Sequence, residues 1–142
     1  MCDPQCGEKV PVKEEQVTSI RTEMDIVQVR SVVKLAAINA GFSLINQTKV
    51  VTAASELARN TLEYGGGGEM TIQTLEEERV GLRIRFEDHG PGIENIDLAL
   101  RDGWTSGKGM GLGLSGSKRL MDEFEVQSTP GKGTIVVVTK WT

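Results

Sequence analysis

Apolar side chains return every three or four positions from Ile26 through Val29, Val33, Ala36 or Ala37 to Ala40, and again from Val50 through Ala54, Leu57 and Thr61 to Tyr64. That period belongs to one face of an α-helix, so the pattern predicts two amphipathic helices in succession. Thr22 and Asp25 form a capping box before the first, and Gly41 stops it. The second runs from about Asn46 to Tyr64 and ends at Gly65–Gly68, four glycines that predict a mobile connection. A modest strand signal, Gln16 to Arg21, precedes both helices. After them the period changes to two: Met70 to Leu75 reads as a strand, and Val80 to Asp88 is the clearest strand in the chain. There Val80, Leu82, Ile84 and Phe86 alternate with Gly81, Arg83, Arg85 and Glu87, giving one dry face and one wet face. Asp88 shares the parity of Phe86, so the register sends a carboxylate to the covered face, where it needs donors.

Further on, Ile96 to Arg101 predicts a short helix, Gly103 to Gly113 a glycine-punctuated loop, and Leu114 to Glu123 a helix with Leu114, Lys118 and Met121 on one side. Phe124 to Thr129 and Thr134 to Trp141 predict a closing hairpin across Pro130, Gly131, Lys132 and Gly133. Strand, two helices, two strands, loop, helix and hairpin make an α+β fold, a two-layer sandwich whose mixed, mostly antiparallel sheet is covered on one face by helices. At 142 residues the chain suits a single domain, expected over residues 16–142 behind a disordered lead-in of residues 1–15.

Composition narrows the function. A net charge of -4 with scattered Lys and Arg provides no phosphate-backbone footprint, which argues against nucleic acid as a partner. Cys2 and Cys6 are too few for a disulfide framework or a four-ligand zinc site, and no apolar run approaches the roughly 18 residues of a membrane span. A reduced, cytoplasmic setting is the expectation, with no membrane partner.

Three segments carry chemistry. Glu56 and Asn60 are four residues apart on the second helix, so a carboxylate and a carboxamide project from one side and can share a metal ion or a water. The alternative is a solvated polar face with Glu56 paired to Arg59. In Asp88-His89-Gly90-Pro91-Gly92-Ile93 the glycines let backbone approach a planar ligand, and Asp88 is placed to accept a hydrogen bond from an exocyclic amine such as that of adenine. His89 reads as an exposed loop side chain. In Gly107 to Lys118, alternate glycines free backbone N–H groups for phosphate oxygens at the start of a helix, and Lys108 adds a cation. Gly111, Gly113 and Gly116 match the dinucleotide spacing, but they follow a loop and have no acid about 20 residues on, and the Walker A spacing fails too. Together the segments predict a nucleotide pocket between helices and sheet, with ATP and magnesium as the ligand and Asn60 as one metal ligand.

Glu56 with Asn60, then Asp88-His89-Gly90-Pro91-Gly92, then Gly109-Met110-Gly111-Leu112-Gly113-Leu114 resemble the N box and two glycine boxes of the GHKL (Bergerat-fold) ATPase superfamily. Gly133-Thr134 resembles its final element, which implies that the Thr134 hydroxyl helps Asp88 hold adenine. The resemblance spans the chain from about Val17 to its end. Thr52 to Asn60, the Asp88 turn and Gly113 to Phe124 look most like the RsbT-type serine/threonine switch kinases. That resemblance implies Glu56 as the base toward a serine or threonine of a STAS-domain antagonist, with a regulatory phosphatase as activation target. It also implies Asn60 as the magnesium ligand, Asp88 as the adenine reader, and Gly109, Gly111 and Gly113 as the lid. The competing expectation is a non-catalytic, nucleotide-dependent anti-sigma factor or binding module.

Overall fold

The computed structural model describes residues 11–101 and 112–142, without the side chains of residues 112 and 113. Five strands, β1 (Val12–Ile20), β2 (Gly68–Glu76), β3 (Val80–Asp88), β4 (Glu123–Thr129) and β5 (Gly133–Trp141), form one sheet in the order β1-β2-β3-β5-β4. All four pairings are antiparallel. The helices are α1 (Glu23–Asn39), α2 (Leu44–Glu63), α3 (Ile96–Ala99) and α4 (Leu112–Leu120).

Local chemistry sets the boundaries. Thr22 caps α1 as a capping box: its hydroxyl accepts from the Asp25 N–H at 3.3 Å while the Asp25 carboxylate accepts from the N–H of Thr22 at 3.1 Å and of Arg21 at 2.8 Å. These hydrogen bonds depress the Asp25 pKa, the Arg21 N–H contributing most. Gly41 ends the helix at a φ of 85°, where a side chain would be strained. Helix α2 starts at Leu44 rather than near Asn46, because the Ser43 hydroxyl accepts the Asn46 N–H at 3.2 Å.

Other expected boundaries also differ from those observed. The lead-in was expected to last until residue 15, yet β1 begins at Val12, whose partner is Leu75, with Glu14 and Glu15 opposite Thr74 and Gln73. An edge strand in which only Thr18 and Ile20 are buried has no alternation to announce it. Helix α4 begins at Leu112 instead of Leu114 and ends at Leu120 instead of Glu123. It stops there because Asp122 is bound to β5: its carboxylate accepts from the Trp141 N–H at 2.8 Å and from Lys140 Nζ at 3.2 Å. Lys118, expected on the same side as Leu114 and Met121, is exposed, and among the described side chains of α4 Leu114, Ser115 and Ser117 are buried.

The core lies between the sheet and α1, α2 and α4. Ile26, Val29, Val33 and Ala37 of α1 and Val50, Ala54 and Leu57 of α2 meet Ile72, Leu82, Ile84, Phe86 and Val138 from the sheet. The opposite face of the sheet carries polar rows such as Glu15, Gln73, Arg83 and Thr139, the register partners of one another. The alternation along β3 therefore delivers Asp88 to the helix side, at the strand's end and beside the last turn of α2.

Candidate functional site

A cleft opens between the C-terminal half of α2, the ends of β3 and β5, and α4. Leu57, Asn60, Thr61 and Tyr64 of α2 form one wall, and Phe86, Asp88, Thr134 and Val136 form the floor, with Ile93 and Leu114 at the sides. The space these side chains enclose is about 20 Å³, below the ~300–1,000 Å³ range of small-molecule sites. Asn60, Asp88, Ile93, Leu114 and Thr134, predicted from four separate stretches of sequence, meet in this one place.

Asp88 is 8% exposed. Its Oδ1 accepts the Gly90 N–H at 2.9 Å and the Thr134 N–H at 3.3 Å, while Oδ2 accepts no hydrogen bond among the described residues. One oxygen is thus anchored and the other stays available to a ligand. Burial raises the Asp88 pKa above the ordinary carboxylate value, and the two backbone hydrogen bonds oppose that shift. Asn60 holds the second unsatisfied group: its Nδ2 is buried without a partner. Rotating a carboxamide by a half turn exchanges its oxygen and nitrogen, so this side chain can present either atom to what enters the cleft. Among the described residues no cluster of three His, Cys, Asp or Glu could cage a metal. A carboxamide beside bound phosphates fits the needs of magnesium, which retains waters and takes few protein ligands.

Glu56 lies one turn before Asn60, exposed on α2 and outside the cleft lining. The alternative pairing with Arg59 does not form. Arg59 Nη1 binds Glu23 of α1 at 3.3 Å and Glu63 at 3.4 Å, and Glu56 makes no hydrogen bond or ion pair among the described residues. His89 is exposed, as expected. Lys108, Gly109, Met110 and Gly111 lie outside the described residues; Leu112 and Gly113 open α4.

The glycines act differently from the expectation. Gly90 and Gly92 were expected to let backbone approach a ligand, but the room beside each is filled by protein. A Cβ at Gly90 would lie 2.7 Å from Gly65 Cα, and one at Gly92, whose φ is 78°, would lie 2.5 Å from the Thr129 carbonyl oxygen. Two glycines of the run after α2, Gly65 and Gly68, are likewise packed, while Gly66 has open space beside it. A Cβ at Gly65 would collide with the Asp88 carboxylate carbon, and one at Gly68 with the Glu87 carbonyl.

Sequence reasoning passed over three residues. Gly65 makes room for Asp88, and its place in a glycine run hid this. Tyr64 was read as core, yet its hydroxyl donates to the Gly92 carbonyl at 2.8 Å. Ser128 had no signal beyond strand parity, yet its Oγ accepts the Ile93 N–H at 2.6 Å and lies 2.8 Å from Thr134 Oγ1.

Known proteins resemble this chain in sequence and in fold. Residues 45–141 match the histidine kinase-, DNA gyrase B- and HSP90-like ATPase family. The chain is 41% identical over 131 residues to the serine/threonine-protein kinase RsbT of Bacillus subtilis, covering 92% of this chain and 98% of that protein. An anti-sigma F factor from Thermoanaerobacter is 37% identical over 97 residues, 65% of this chain and 68% of its own. Among solved structures, the RsbU and RsbW domains of a Mycobacterium tuberculosis protein align with a TM-score of 0.63 at 17% identity, over 90% of this chain and 32% of that one. The SiaB–SiaC complex of Pseudomonas aeruginosa aligns with a TM-score of 0.57 at 12% identity, over 100% and 99%. Those two likenesses show the fold; the family match and the sequence identity together show that the chain belongs to the histidine kinase-, DNA gyrase B- and HSP90-like ATPases, among the RsbT-type serine/threonine kinases.

Proposed function

We propose that this kinase transfers the γ-phosphoryl group of ATP to a serine or threonine hydroxyl on a STAS-domain antagonist protein, and that the transfer releases the kinase to activate a regulatory phosphatase. The observation that carries the reading is the pairing of a largely buried aspartate, Asp88, anchored through Oδ1 alone, with an exposed carboxylate, Glu56, one turn from Asn60 and without an ion pair among the described residues. Asp88 accepts from the exocyclic amine of adenine, Thr134 assists it, and Ile93 and Leu114 flank the base. Asn60 would hold magnesium through its carboxamide oxygen, and Lys108 to Gly113 would hold the phosphates. Magnesium, when bound with the nucleotide, neutralises charge on the β- and γ-phosphate oxygens. The acceptor hydroxyl oxygen forms the new bond to phosphorus as the bond from phosphorus to the β,γ-bridging oxygen breaks. ADP departs with that electron pair, and the hydroxyl proton passes to Glu56. An exposed base suits this reaction, since the acceptor is another protein and must reach the carboxylate from solvent.

The test uses γ-labelled ATP and a STAS-domain protein. Labelled acceptor is expected with the wild type, while Glu56→Ala should slow transfer by about 10²–10⁴-fold with ADP affinity kept. Undiminished transfer by that variant removes Glu56 from the mechanism. The similarity to anti-sigma F factors supports a second reading, a nucleotide-dependent binding module, for which ATP would drive complex formation and no protein would be labelled.

A further inference from the structure

Residues 89–95 have no regular secondary structure, yet three consecutive ones are tied to three different elements. The Pro91 carbonyl accepts the Gly131 N–H from the β4–β5 turn at 2.7 Å. The Gly92 carbonyl accepts the Tyr64 hydroxyl at the end of α2 at 2.8 Å, and the Ile93 N–H donates to Ser128 Oγ of β4 at 2.6 Å. Ser128 Oγ also donates to the Gly133 carbonyl at 3.1 Å. A hydroxyl has one proton, so the 2.8 Å contact between Ser128 and Thr134 is then made by the Thr134 proton, and Ser128 accepts twice. One serine therefore connects Ile93, Gly133 and Thr134 around the cleft, and one tyrosine connects the same turn to the helix bearing Asn60.

We propose that Tyr64 and Ser128 are positioning residues for nucleotide binding. Their hydroxyls hold the Pro91–Ile93 turn in place before the ligand arrives, so that Ile93, Asp88 and Thr134 already face the cleft in the geometry that receives the base. The inference rests on the nucleotide reading above and adds how the base side is preset. A turn without its own hydrogen-bonded ladder would otherwise be ordered by the ligand, and that entropy would be subtracted from affinity. The distances favour such a role over simple packing. Both side chains are only partly buried, and each spends its one hydroxyl on the backbone of this turn or its neighbours.

The experiment measures hydrogen exchange at the Ile93 amide in the nucleotide-free protein, ADP affinity by titration calorimetry, and transfer rate at saturating ATP. Ser128→Ala should expose the Ile93 amide and weaken ADP binding about ten-fold, and Tyr64→Phe should weaken it about three- to five-fold. The loss should appear mainly in ADP affinity and in the KM for ATP, with a smaller change in transfer at saturating ATP. Ser128→Thr, which keeps a hydroxyl, should restore amide protection and affinity together. A Ser128→Ala protein that loses protection at Ile93 but binds ADP like the wild type overturns the proposal. So does a Thr variant that restores protection without affinity. Should Ser128→Ala melt too early to assay, Tyr64→Phe and Ser128→Thr are read by the same criteria. A wild-type protein that protects Ile93 but binds no ADP would instead overturn the nucleotide reading itself.

Discussion

At the Asp88 end of the cleft the protein supplies its own hydrogen bonds, whereas Glu56, one turn before Asn60, makes no hydrogen bond or ion pair among the described residues. Asp88 is wedged against Gly65, held by Gly90 and Thr134, and backed by a turn tied at three successive residues. Glu56 stands on an exposed helix surface. The contrast separates two kinds of recognition. On the proposed reading a nucleotide base, one fixed shape, meets side chains already anchored by the protein, while a protein acceptor would bring its own surface to Glu56. Variants on the two sides should therefore fail in different assays.

The largest effect is expected from Asp88→Asn. The amide keeps the shape and its oxygen can still accept from Gly90 and Thr134, but an NH₂ then points at the amine of the base where Oδ2 stood. ADP affinity should fall about 10²–10³-fold, as expected when a buried pair becomes two donors. Melting temperature without nucleotide should hold or rise, since a buried charge is removed. Unchanged ADP binding would dissolve the contrast at its buried end. Next comes Gly65→Ala, whose Cβ has no room beside the Asp88 carboxylate. Overpacking of this kind costs about 1–3 kcal/mol, and displacing Asp88 should weaken ADP binding at least ten-fold. Gly66→Ala is the matched control. Its φ of 76° makes alanine strained by about 1 kcal/mol, but no atom lies within 4 Å, so ADP affinity should stay as in the wild type.

The buried end was also the more legible in sequence, for a reason visible in single residues. Val80 to Phe86 alternate without a break, so Asp88 could be assigned an inward direction by parity alone, and the period of α2 likewise put Leu57 and Thr61 inside. Contacts between distant segments leave no such mark. Nothing local says that Gly65 faces Asp88, that Tyr64 reaches Gly92, or that Ser128 meets Ile93, because those contacts exist only once the sheet order β1-β2-β3-β5-β4 is known. The start of β1 was hidden for the opposite reason: an exposed edge strand needs no apolar alternation.

Acidity offers a graded version of the same comparison. Burial raises the Asp88 pKa in the folded chain above its unfolded value. Above the folded pKa the buried carboxylate therefore costs stability, and this cost is relieved as pH falls through that pKa. The sign is opposite for Asp25, whose capping hydrogen bonds lower its pKa and whose contribution is lost as pH falls through that lowered value. Binding follows the charge: protonating Asp88 removes an acceptor, so ADP affinity should decline as pH falls, with a midpoint above that of an ordinary carboxylate. The same titration with Asp88→Asn should lack that decline and keep only the change due to the phosphate of ADP itself, whose second pKa is about 6. A wild-type profile with no more change than that would show that the base does not rely on the carboxylate.

The smallest effect tests the exposed side. Arg59 neighbours Asn60 in sequence but points outward to Glu23 and Glu63, and all three side chains are substantially exposed. Pairs of this kind contribute roughly 0.2–1 kcal/mol and are screened by salt. Arg59→Gln should lower the melting temperature by about 1–4 °C at low ionic strength, and less at about 1 M salt. ADP affinity should not move, because the helix that carries Asn60 is held by Leu57, Ala58 and Thr61 in the core and by Tyr64 at its end. A several-fold loss of ADP binding in this variant would mean that the surface clamp between α1 and α2 sets the position of Asn60. The fixed side of the cleft would then extend to the outside of α2, and Glu56 would have to be counted as part of it.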